Sequence, residues 1–572
     1  MSCLRWHSAC KCRIFLLVSL LICSGNKVMQ AQQPSGNSYV PLGGDTYHLI
    51  DRMDIQYPLS YQYLNTSIKP FLRSDVASLT QTWEHSDTLS KRERFQYDYL
   101  GNDNREFMNP HSKDYFEGDL FHFFYPEPAT FYQFFSVRIN PVLHNEFGVS
   151  SDSSNLRFIN TRGLELRGSV DDKVGFYLYA TDNQAVLPNY IQDRVDAAPQ
   201  VMPGDGVTKI FKDNGVDYFT THGYISFNPT KHIEMQFGQD KMFIGDGIRS
   251  MIWSDNAKDQ LMLRINTHLW RLHYLNVFTE LANYDGSNIY NSLIHKKYAA
   301  FHYLTVPIIP QIEVGVFESI IFDRYNANGY ETGFELNYLN PVIFYRAVES
   351  GLGSADNALV GATLKTKLWN TASLYGQLVL DEFVFGELFG GNKWWGNKYA
   401  LQAGAKYINA FNIEQLDLQY EFNMARPYTY SYEDDNGSSY THYAQAIAHP
   451  LGANFKEQLF RVWYQPARKL TIRNTTMIAQ QGIDSAGINY GSNIFLDYNT
   501  YASAYNNITG QGISQTTLLN DLLVSYAFWH NTFLDLHITY RDVNSELVEN
   551  DNNELYFSIG VRMNEGVRGF MW

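Results

Sequence analysis

Asp381 and Glu382 come closest to a general acid and base in this chain, because two neighbouring carboxylates can divide donor and acceptor roles. Adjacency works against them. In a strand, consecutive side chains point to opposite faces, so the pair shares a site only where a bulge intervenes. His442 and His449 lie close enough in sequence to share a metal, but no third ligand accompanies them. Asp182, Asp193, Asp196 and Asp205 offer hard oxygens for calcium at spacings that match no compact ligand loop. Spacings for a zinc protease, a nucleophile elbow, a phosphate-binding Walker loop and an EF-hand are all absent from the sequence. The chain is therefore expected to be no enzyme and to need no metal or cofactor.

A different chemistry is written in the loops. Residues 426–454 read RPYTYSYEDDNGSSYTHYAQAIAHPLGAN, placing Tyr428, Tyr430, Tyr432, Tyr440 and His442 among acids and amides. Trp394 and Trp395 close the preceding polar stretch. Flat rings beside hydrogen-bonding groups suit sugars, which have apolar faces and hydroxyl edges, so these seven residues form a candidate polysaccharide-binding set. The same rings suit a girdle at a membrane interface, and their spacing leaves both readings open.

Strands must position these loops. In Leu416, Leu418, Tyr420, Phe422 and Met424, alternating with Asp417, Gln419, Glu421 and Asn423, one face is apolar and the other polar over the whole stretch 416–424. A membrane-crossing β-strand of about 9 to 11 residues has this pattern, although a half-buried strand of a soluble sandwich shares it. Recurrence decides between them. Alternation dominates from Phe131 onward, and Asp171 and Asp172 form a two-residue hairpin turn between strands at 161–170 and 173–182. Further hairpins turn at 228–231, 369–371, 466–467 and 530–531, and the last strand covers 555–563.

Short turns alternate with long polar connections at 183–217, 241–258, 385–396, 426–455 and 481–517. That asymmetry belongs to bacterial outer-membrane barrels, with short periplasmic turns and long surface loops. About 19 candidate strands can be counted, an odd number whose conflict lies between Ile309 and Asn357. An antiparallel up-and-down transmembrane β-barrel of about 18 strands is expected at 131–572, with 16 and 20 as the neighbouring even numbers.

Arg5, Lys11 and Arg13 precede the apolar run IFLLVSLLIC at 14–23, the layout of a secretory signal peptide over 1–31, with cleavage expected after Ala31. The four cysteines, Cys3, Cys10, Cys12 and Cys23, all fall within it, so the mature chain is expected to contain none. Residues 32–130 show no alternation and carry a capping-box spacing at Ser90 and Glu93, and Ser74 marks another helix start. A small helical or irregular segment is expected there, periplasmic or folded into the lumen. The net charge of −15 argues against a nucleic-acid partner.

Read together, LRFINTRGLELRGSVDDKVGFYLYATDNQ (156–184), TKHIEMQFGQDKMFIGDGIRS (230–250), YLNPVIFYRAVESGLGSADNALVG (338–361), WWGNKYALQAGAKYINAFNI (394–413) and RPYTYSYEDDNGSSYTHYAQAIAHPLGANFKE (426–457) resemble the RemB gliding-motility proteins of Bacteroidota. More distantly, the chain is similar to the Wzi capsule-assembly barrels. The resemblance implies a barrel in the outer membrane with loops at the cell surface, and a role in motility, adhesion or attachment of capsular polysaccharide. Expected partners are outer-membrane lipid and lipopolysaccharide, surface polysaccharide, and motility or secretion machinery. A porin-like transport channel is the alternative, motivated by the polar face Asp417, Gln419, Glu421 and Asn423, and a lipid hydrolase is a third class with no motif behind it.

Overall fold

The structure is a computed structural model describing residues 36–572 except 58–63, 85–88, 109–128, 133–134, 198–199, 213, 285–293, 324–332, 342–355, 383, 385, 388–389, 434–436 and 486. The signal-peptide expectation lies outside the described residues. The strands are β1 (Phe135–Ser150), β2 (Ser153–Val170), β3 (Val174–Val186), β4 (Gly215–Thr230), β5 (Ile233–Asp240), β6 (Gln260–Leu269), β7 (Leu272–Asn283), β8 (His295–Ile309) and β9 (Ile312–Asp323). They continue as β10 (Asn357–Leu368), β11 (Ala372–Glu382), β12 (Lys398–Tyr407), β13 (Leu416–Ala425), β14 (Phe455–Ala467), β15 (Leu470–Ile483), β16 (Ile513–Trp529), β17 (Thr532–Ser545) and β18 (Asn552–Met563). Each pairs antiparallel with the next, and β18 returns to β1 with Tyr556 opposite Ser150 and Met563 opposite Leu143, closing an 18-stranded barrel.

Burial shows what the barrel is for. On β13, Asp417, Glu421 and Asn423 are buried, whereas Leu416, Leu418, Phe422 and Met424 are half-buried and Tyr420 is exposed. A soluble sandwich would bury the leucines. The inverted pattern, polar inside and apolar outside, is the one a lipid-facing wall requires. Outward Phe147, Leu178, Ile225, Phe460 and Ile559 repeat it around the circumference.

Turn chemistry sets the register at one end. Asp171 and Asp172 both take left-handed φ values, +54° and +49°, but the turn is one residue longer than the two-residue turn expected: Lys173 joins it, its N–H donating to the Val170 carbonyl at 3.0 Å, and Val170 pairs with Val174. Several strands run further than alternation alone shows: β2 starts at Ser153 and β16 at Ile513, because hydrogen-bonded ladders continue past the apolar band. Two connections at the long-loop end are short, 151–152 and 546–551, so the long/short alternation is not strict. The odd candidate strand resolves between β9 and β10, where the described residues contain a single 3-10 turn, Leu336–Leu339, and no strand.

Residues 36–108 hold helices α1 (Thr46–Gln56), α2 (Arg73–Glu84) and α3 (Lys91–Asp103). Ser90 caps α3 through a reciprocal box: its hydroxyl accepts from the Glu93 N–H, and the Glu93 carboxylate accepts from the Ser90 N–H. Among the described residues no helix is long and apolar enough to cross a membrane.

Candidate functional site

The polar inner face of the wall does not line open water; four segments fill it. From the short-turn end come α1 to α3. Asp417 of β13 receives His48 Nε2 at 2.9 Å and also Arg52, while Lys406 of β12 meets Asp51 at 2.5 Å. Asp54 lies between Lys365 at 2.6 Å and Lys367 at 2.5 Å, both on β10. The helix α3 is tied to the turns: Arg92 to Glu414 at 2.5 Å, Gln96 to Gln415 at 2.6 Å and Gln465 at 2.7 Å, and Tyr99 to Asn531 at 2.5 Å.

From the opposite end the β5–β6 connection, 241–259, dips inward to meet this segment. Its residues Phe243 and Ile244 pair with Lys69 and Ile68, and the Gly245 N–H donates to the Ser67 carbonyl at 2.8 Å. Gly245 is required: its φ is +130°, and a Cβ there would stand 2.1 Å from Gln377 Nε2. Asp246 meets Lys365 at 2.9 Å and accepts from Ser67 at 2.6 Å. Burial alone would raise Asp246 and Asp54, but the ammonium groups facing them outweigh it and hold both carboxyls below the usual range. Further along, the N–H groups of Ile248 (2.6 Å) and Arg249 (3.0 Å) donate to Glu421, and the Arg249 side chain meets Glu457 at 3.0 Å.

The third segment is the tyrosine-rich connection 426–454, and here the structure corrects the sequence reading. Tyr428 and Tyr430 are 1% exposed, Tyr440 0%, His442 3% and Tyr432 8%, so these rings offer no face to a sugar or to a lipid interface. Tyr430 and Tyr440 stack 5.8 Å apart inside the main core, Tyr440 edge-on to Trp253, and the Tyr430 hydroxyl donates to the Met251 carbonyl at 2.7 Å. His442 accepts from the Ala282 N–H at 2.9 Å, and burial pushes its imidazole down to about 3. Nearby His449 pairs with Glu457 at 2.8 Å, and the two histidines do not share a site. Among the described residues no group of three or more His, Cys, Asp or Glu could hold a metal.

The fourth segment, 564–572, runs back up the lumen after β18. Arg568 meets Glu565 at 2.9 Å and Asn183 at 2.9 Å, and Arg249 donates to the Met571 carbonyl at 2.5 Å. Beside it remains a cavity of about 290 Å³ walled by Tyr177, Tyr179, His222, Tyr224 and Asp205; another of about 410 Å³ lies against Asp75, Glu234 and Arg264. Nothing local in the sequence signals this inward tail, because the wall and loop partners Asn183, Tyr218 and Arg249 lie hundreds of residues away.

Trp394 and Trp395 stand apart from the buried tyrosines. Both are half-buried at the long-loop end, where Trp395 stacks on Tyr501 at 4.7 Å and lies 4.9 Å from Tyr498, binding the β11–β12 and β15–β16 connections together. Asp381 and Glu382 meet the exception allowed above: a register shift between Leu380 and Glu382 lets both approach Lys398, at 3.4 and 3.6 Å. They form an ion-paired cluster with Lys398 between them, and Asp381 also accepts from the Tyr430 N–H at 2.7 Å.

The fold resembles Wzi, an outer-membrane carbohydrate-binding β-barrel involved in group 1 capsule assembly in Escherichia coli, with a TM-score of 0.55 at 13% identity over 93% of this chain and 100% of that one. Weaker likenesses include OccK8 (OprE) of Pseudomonas aeruginosa, TM-score 0.41 at 11% identity over 75% of this chain and 97% of that one. OpdK of the same organism reaches 0.42 at 10% identity over 75% and 98%. No family model and no curated protein sequence matches the chain.

Proposed function

We propose that this protein is a non-enzymatic, plugged outer-membrane barrel that organises the cell surface by holding capsular or exopolysaccharide at its long-loop end. The observation that carries this reading is the filled lumen. Four segments occupy it, fastened by buried ion pairs at Asp54, Asp246, Asp417 and Glu457. A solute channel needs a continuous aqueous path, and large barrels that conduct keep their lumen open. The likeness in fold to Wzi supports a carbohydrate ligand, with half-buried Trp394 as the ring offered at the rim and Trp395, stacked on Tyr501, supporting it from behind. Gliding and adhesion, carried by the sequence resemblance to RemB proteins, would use the same surface.

Two measurements test the proposal. Wild-type protein in planar bilayers should stay closed, and steady large currents would return the channel reading. A deletion strain should lose surface polysaccharide, or spread poorly if motility is the role; a strain unchanged in both would remove the surface function.

A further inference from the structure

Among the described arginines that are under a tenth exposed, Arg52, Arg73, Arg138, Arg157, Arg167 and Arg562 each meet a carboxylate within 4.0 Å. Arg264 is the exception. It stands on the inner face of β6, 2% exposed, and forms no ion pair with any described carboxylate. Its guanidinium donates once, from Nη2 to the Pro70 carbonyl at 3.4 Å, while Nε and Nη1 are buried without a partner. The Tyr39 ring lies against the guanidinium, 4.7 Å from ring centre to cation, and holds it in place. A buried cation is unfavourable without a counter-ion, so this position asks for an anion that the chain does not supply.

Room for one is present. Arg264 lines the cavity of about 410 Å³ between β5, β6 and the start of α2, a volume in the range of small-ligand pockets. Asn266 lines it too, and its Oδ1 is a buried acceptor without a partner. The two acids at this cavity are already engaged: Glu234, opposite Asn266 on β5, accepts from the Tyr39 hydroxyl, and Asp75 accepts from the Ser74 hydroxyl at 3.1 Å. Burial, with Glu234 facing it, pushes Asp75 up to about 8, so at neutral pH it is mostly the uncharged acid and does not repel an anion. At the short-turn end the cavity is bordered by exposed Lys231, whose charge favours an anion's approach.

We propose that this cavity is a binding site for a small oxyanion that also carries a hydroxyl, either hydrogen phosphate or a sugar acid, seated against Arg264. Oxygens of such a group accept from the free N–H donors, and its hydroxyl donates to Asn266 Oδ1. Water or a neutral sugar would satisfy the N–H groups but leave the charge uncompensated; an oxyanion does both. The site lies at the other end of the barrel from Trp394 and does not rest on the polysaccharide reading.

Isothermal titration of the purified, folded barrel with inorganic phosphate and, separately, with D-glucuronate tests this, with glucose as the uncharged control. Saturable binding of at least one anion is expected, weakened about tenfold or more in Arg264→Gln, and the anion that binds distinguishes a phosphate from a sugar acid. Because Arg264 has no carboxylate partner to lose, the variant should keep the heat-dependent gel shift. Failure of both anions to bind, binding unchanged in folded Arg264→Gln, or glucose binding that equals the anions' and falls with theirs in that variant would overturn the proposal. Should Arg264→Gln fail to fold, a crystal structure of the wild-type protein soaked in the anion that bound decides: density for the anion beside Arg264 supports the site, and its absence there overturns it.

Discussion

Replacing Asp54 by Ala should unlatch the helical segment from the barrel wall. The carboxylate lies between two ammonium groups, 2.6 Å from Lys365 and 2.5 Å from Lys367, in a site where all three side chains are under a tenth exposed. Its removal leaves Lys365 facing Asp246 at 2.9 Å and takes from Lys367 the carboxylate it meets. Breaking a buried ion pair by deleting one partner costs about 3 to 5 kcal/mol, because the remaining charge is neither solvated nor paired. At about 1.4 kcal/mol per tenfold, the population with α1 displaced should rise by roughly two to three and a half orders of magnitude. Asp54→Asn keeps the shape and should give most of the effect. The assay is open probability in planar bilayers beside protease cleavage within residues 36–108 of the refolded protein. If Asp54→Ala leaves both at wild-type values, the latch does not hold the plug. The pH dependence follows from the same pair of acids. Because Asp54 and Asp246 are held below their ordinary range in the fold, their stabilisation is complete above the unfolded value near 3.9 and is lost as pH falls through the lower folded one. This latch should hold at pH 5 and weaken only below about pH 4.

Leu418→Arg should impair insertion by about 2 to 4 kcal/mol, the cost of a charge on the lipid side at mid-membrane, while Gln419→Arg, on the lumen side where Gln419 donates to the Tyr375 hydroxyl at 2.8 Å, should lose less; equal losses in the gel-shift yield would contradict the assigned faces. Tyr430→Ala should lower heat resistance by about 3 to 5 kcal/mol, the cost of a large core truncation, whereas Trp394→Ala should leave the heat-dependent shift in place. For His442, a folded pKa near 3 lies below the unfolded 6.5, so the unfolded state binds the extra proton. Protection of amides in 426–454, taken as the exchange rate relative to the intrinsic rate at each pH, should therefore fall as pH falls from about 6.5 toward 3, and an unchanged protection would show that His442 is not held neutral.

The barrel is legible because its signal is local. Period-two alternation at 416–424, paired aspartates at 171 and 172, and the box at Ser90 and Glu93 each fix geometry within a few residues. What fills the barrel is not legible, since the contacts that place it join Arg52 to Asp417 and Ser67 to Asp246, far apart and without period. The tyrosines of 426–454 illustrate the limit: a ring flanked by polar residues has the same composition on a surface, at a lipid interface or in a polar lumen. Only the fold distinguishes Tyr430, sealed under Met251, from Trp395 at the rim.

The most direct test is equilibrium binding of the producing cell's own surface polysaccharide to the purified, folded barrel. Saturable binding that is lost in the Trp394→Ala, Trp395→Ala double variant, with the heat-dependent gel shift retained, is the result this account predicts. Folded wild-type protein that binds none of that polysaccharide would contradict it.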